Sequence, residues 1–65
     1  MNLKNLHLLF TTSPSSITAL AEQQGLDPVV ALGVVKLLIA NDGNLASLSR
    51  RQRDHFDRII KPLIE

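Results

Sequence analysis

The sequence predicts an all-α fold, a small bundle of four short helices, and three observations carry that expectation. Apolar residues recur at intervals of three and four, the period of a helix with one buried face. Proline follows a capping residue at both Ser13-Pro14 and Asp27-Pro28, the order in which a helix start is written. Gly25 and the run Asn41-Asp42-Gly43-Asn44 break the helical stretches where turns are needed.

Leu3, Leu6, Leu9 and Phe10 give a first helix ending near Thr11-Thr12. Ser13 is expected to accept a hydrogen bond from the free N–H groups of a second helix, which starts near Pro14. Its apolar stripe is Ile17, Leu20, Ala21 and the stem of Gln24, and Gly25 is placed to end it in a left-handed cap with Leu26 folding back. Asp27-Pro28 then opens a third helix after a turn of about three residues. From Val29 through Ala40 this helix is apolar on nearly every side, interrupted only by Gly33 and Lys36. Its β-branched residues would suit a buried strand, but the cap and the length favour a helix. A helix of that kind has to be surrounded, either by the other three helices or by a second subunit that covers what they leave.

Ser49 with Gln52 forms a capping-box pattern at the start of the fourth helix. Phe56, Ile59, Ile60, Leu63 and Ile64 then fall on one helical face. Pro62 lacks an N–H and crowds the carbonyl of Arg58, so a kink or stop is expected near Lys61.

Composition narrows the function classes. The 65 residues form one domain at most, and a chain of this length buries only about 60% of the surface it exposes when unfolded. There is no cysteine, which excludes disulfides and thiolate zinc sites and fits a reducing compartment. The start of the chain lacks the apolar core of a signal peptide, so a cytoplasmic location is expected. Pro28 to Ala40 falls short of the roughly 20 residues needed to span a bilayer, so no membrane partner is expected. The apolar pattern continues into Pro62-Leu63-Ile64-Glu65, as it would in an N-terminal domain cut from a longer protein. Formal charge is only +1, with the basic bias confined to the C-terminal end, and Phe10 and Phe56 are the only aromatics. Stacking platforms for single-stranded nucleic acid are therefore lacking.

The middle of the chain, residues 17 to 36, resembles a helix-turn-helix. Leu20 and Ala21 stand at that family's inward apolar and small positions, Gly25 at its turn glycine, Leu26 at the apolar residue after it, and Ala31 and Val34 at two inward positions of the recognition helix. The resemblance implies a DNA-binding domain of a transcriptional regulator. The sequence departs from the family where bases are read, because Val29, Val30, Leu32, Gly33 and Val35 occupy outward positions and only Lys36 can meet a phosphate.

Two further features bear on binding. Arg50, Arg51 and Arg53 place three cations in a first turn whose helix dipole is already positive, a local penalty that points to a phosphate or an acidic partner. Against that stands their pairing at four-residue spacing: Arg50 with Asp54, Arg53 with Asp57, Asp54 with Arg58 and Asp57 with Lys61, each worth about 0.2–0.5 kcal/mol. Gly33 in mid-helix costs about 1 kcal/mol relative to alanine and marks a close approach by another backbone, with Val30, Val34 and Leu37 beside it as the helix-packing or dimer-interface set.

Catalysis and metal binding have little support. His7 reads as a boundary residue, and Asp54, His55 and Asp57 diverge around a helix instead of converging. The serines fall at helix starts, and the Asn41–Asn44 turn lacks the other ligands of a calcium loop. The expected function is thus a non-catalytic helical binding module, without cofactor, metal or small-molecule substrate, that self-associates as a homodimer or docks a protein partner. The alternative is a helix-turn-helix domain contacting DNA phosphates through Lys36, Arg50, Arg51 and Arg53.

Overall fold

A computed structural model describes residues 2–64. Helix α1 spans Leu3–Thr12, α2 Pro14–Gln23 and α3 Pro28–Ala40. A 3-10 turn at Leu45–Ser47 leads into α4, Arg50–His55, which passes without interruption into a π-helical segment, Phe56–Ile60, and then into α5, Lys61–Ile64. The described residues therefore form the expected bundle of four helical rods, and they contain no strand.

Side-chain caps set most of these boundaries. Asn2 Oδ1 accepts from the Asn5 amide at 3.1 Å, and Asp27 Oδ1 accepts from the Val29 amide at 2.9 Å. The capping box is complete: Gln52 N–H donates to Ser49 Oγ at 3.2 Å, and Ser49 N–H donates to Gln52 Oε1 at 2.8 Å. Ser49→Ala removes one acceptor from the first turn of α4 and should lower stability by about 1 kcal/mol, measured by thermal or urea denaturation.

Ser13 departs from expectation, since its hydroxyl makes no capping bond. It closes α1, with its amide donating to the Leu9 carbonyl, while its own carbonyl accepts from Ser16 at the start of α2. One residue serving two helices holds φ −140°, ψ 50°, away from the usual geometry of a cap.

The turn after α2 follows the pattern read from the sequence. Gly25 has φ +72°, the Leu26 amide reaches back to the Ala21 carbonyl at 2.8 Å and the Gly25 amide to that of Glu22 at 3.1 Å. These two bonds satisfy the Ala21 and Glu22 carbonyls in the last turn of α2, as a glycine-closed helix end does.

The core draws on every rod: Leu6 of α1, Ile17 and Ala21 of α2, Ala31, Val34, Val35 and Leu38 of α3, and Phe56, Ile59, Ile60 and Ile64 of the last rod. Helix α3 is the central element, packed against α1, α2, α4 and the π segment, most extensively against α2. Val35 was expected to face outward and is fully buried. Ala31, Val34, Val35 and Leu38 stand at i, i+3, i+4 and i+7, so they share the face that meets the bundle.

Pro62 does not stop the last rod, and the distortion expected near Lys61 takes the form of a π turn that closes on the Lys61 amide. In that turn the Lys61 amide donates to the Phe56 carbonyl five residues back. Widening that turn gives the proline ring room beside the preceding carbonyls and lets the rod continue to Ile64. It also turns the following residues on the helix axis, which leaves Leu63 exposed while Ile64 remains in the core.

Candidate interaction surface

Helix α3 is not wrapped on all sides by the described residues. Opposite its buried face lie Val29, Gly33, Lys36 and Ala40, all exposed, flanked by half-buried Val30, Leu32 and Leu37. Val29 is 75% exposed, more than any other large apolar side chain among the described residues. A methyl group added at Gly33 would meet nothing within 4 Å. The close approach expected at Gly33 is thus not made among the described residues, and the glycine forms a notch in an open apolar strip. Of the four residues grouped around it in the sequence, Val34 belongs to the core, while Val30 and Leu37 edge the strip.

Lys36 is the one charge on this strip. Its ammonium lies 6.0 Å from the centroid of the Phe10 ring, so its stem covers an aromatic of α1 and its charge faces the ring's electron-rich side.

The basic start of α4 is divided among separate partners. Arg51 Nη2 lies 3.7 Å from Asp27 Oδ2, Arg53 Nε is 3.2 Å from Asp57 Oδ1, and Arg58 Nε is 3.1 Å from Asp54 Oδ1. Asp54 and Asp57 therefore take Arg58 and Arg53, as expected, and the other two pairs proposed, Arg50 with Asp54 and Asp57 with Lys61, are not formed. Arg53 also stands 6.0 Å over the Phe56 ring. All three ion pairs are well exposed and add little to stability.

What joins α4 to α3 is a residue that the charge pattern concealed. His55 is 3% exposed. Its Nδ1 lies 2.8 Å from the Arg51 carbonyl and its Nε2 accepts from the Asp27 amide at 3.3 Å. These partners fix the tautomer, with the proton on Nδ1 donating to the carbonyl. Asp27 thereby caps α3 with its carboxylate, binds His55 with its amide and meets Arg51 across the junction. The sequence did hold one signal for this role, since His55 stands four residues before Ile59, on the continuation of the buried stripe. Asp27→Ala should cost about 1 kcal/mol through the lost cap, whereas Asp27→Asn, which keeps an acceptor and loses only the ion pair, should stay within about 0.5 kcal/mol of the parent in chemical denaturation.

Among the described residues no group of three or more His, Asp or Glu side chains is arranged to hold a metal ion, and no helix is long and apolar enough to cross a membrane. Comparison with protein-family models, curated proteins and solved structures finds no match to the chain.

Proposed function

We propose that this protein is a non-catalytic helical binding module that docks a helix on the open strip of α3, with a second copy of the chain as its first partner. The observation that carries this reading is the exposure of Val29, beside a glycine notch and within a strip whose only charge is Lys36. An apolar strip with a small residue at its centre lets two helix backbones approach closely, and pairing two such strips is the self-complementary contact of a two-fold dimer. A small domain also gains from a partner the burial that its own core is too small to supply. The lack of cysteine fits a reducing setting, and we take the cytoplasm as its compartment.

The DNA-binding alternative has less support. The N-terminal end of α3, which would enter the groove, carries the Asp27 carboxylate, and Arg51 is turned toward that carboxylate. A negative charge at that point opposes a phosphate backbone.

Amide-resolved NMR separates the two readings. On raising protein concentration, shifts and broadening are expected at Val29, Val30, Gly33, Leu37 and Ala40. A duplex DNA titration at low salt should leave the spectrum unchanged. Salt-sensitive shifts at Arg50–Arg53 and the start of α3, without concentration dependence, would replace this proposal with the DNA reading.

A further inference from the structure

Among the described residues His55 is the one buried titratable side chain, held where α4 meets the start of α3. Its two ring nitrogens do opposite things. Nδ1 donates to the Arg51 carbonyl at 2.8 Å, and Nε2 accepts from the Asp27 amide at 3.3 Å. That division requires a neutral ring. With a second proton Nε2 becomes a donor, so two N–H groups stand against each other and the Asp27 amide has lost its acceptor.

The charges around the ring do not offset this. The Asp27 carboxylate would attract an imidazolium, but it accepts from the Val29 amide at 2.9 Å and lies 3.7 Å from Arg51 Nη2, so it already faces a cation. The start of α3 adds the positive end of a helix dipole at the Asp27 amide. Elsewhere on the last rod Arg53 pairs with Asp57 and Arg58 with Asp54 at exposed positions. Arg50 and Lys61 are exposed, as are Glu22 of α2 and Lys36 of α3.

We propose that this junction is a proton-operated latch, closed while His55 is neutral and released when Nε2 takes up a proton. Because the ring is buried, the proton enters only when α4 has parted from Asp27, and the imidazolium then cannot return to the closed arrangement. The opened chain therefore binds one proton more than the closed chain. Stability is complete above the range in which a solvated histidine protonates and declines as pH falls through it. The latch stands whether or not the strip of α3 docks a partner.

Urea denaturation of the whole chain, followed by circular dichroism at about pH 7.5 and about pH 5.5, tests the latch across the window in which histidine changes charge. The unfolding constant of the parent should be about tenfold larger at the lower pH, the effect of one histidine that protonates near pH 6.5 in the unfolded chain alone. His7→Gln, at an exposed position of α1, should keep that rise, which assigns it to His55, the other histidine of the chain. His55→Gln offers an acceptor that does not titrate and should cut the rise to less than about twofold. A parent whose unfolding constant is the same at both values would overturn the proposal. So would a rise that disappears in His7→Gln or persists in full in His55→Gln.

Discussion

His55→Ala will lower stability by about 2–3 kcal/mol, the sum of a buried cavity and an amide left without an acceptor. The ring fills the junction between α4 and the start of α3, and its Nε2 is the acceptor for the Asp27 amide. A domain of this size rarely has more than about 3–5 kcal/mol in total, so the variant will be close to its unfolding threshold at room temperature. His55→Gln retains an acceptor at the end of a side chain of similar reach and should recover part of the loss. Urea denaturation followed by circular dichroism measures both, and equal stability of His55→Ala and the parent would remove the junction from this account.

Gly33 supports a prediction of two effects with opposite signs. Because an added Cβ meets nothing, Gly33→Ala should raise the stability of the monomer by about 0.5–1 kcal/mol, the helix-propensity difference at an exposed interior position. In a domain of this length that is a rise in Tm of about 4–8 °C per kcal/mol. The same substitution should weaken self-association, and Gly33→Leu should abolish it, because each side chain holds the two backbones apart. A folded, more thermostable and strictly monomeric Gly33→Leu protein is the expected result. A Gly33→Leu variant that still dimerises with parental affinity would show that the notch is not where the helices meet.

The helix boundaries were legible because the signals that set them are local. Gly25, Asp27-Pro28 and the Ser49/Gln52 box each act within a few residues, and each does in the structure what its chemistry implies. The features that were missed depend on residues distant in the chain. His55 is defined by the Asp27 amide 28 residues away, and Arg51 by the carboxylate of the same residue. The π segment arises because the rod must keep Phe56, Ile60 and Ile64 in the core while accommodating Pro62, a conflict visible only once the packing is known. The open side of α3 was hidden for a different reason. Where nearly every residue is apolar, no periodicity distinguishes the covered face from the free one, so Val35 is read as outward alongside Val29 and Gly33, and the close approach at Gly33 is assigned neither to this chain nor to a second copy. That same uniformity is the physical basis of the proposed docking, because a strip without polar residues gains by being covered.

Sedimentation equilibrium of the unmodified chain beside Val29→Glu, over a range of concentrations, tests the central claim most directly. A monomer–dimer equilibrium in the parent, reduced to monomer by a carboxylate at Val29 with helicity unchanged, is the predicted result. A parent that stays monomeric at the highest concentration, or a Val29→Glu dimer of undiminished affinity, would contradict the assignment of the α3 strip as the site of self-association.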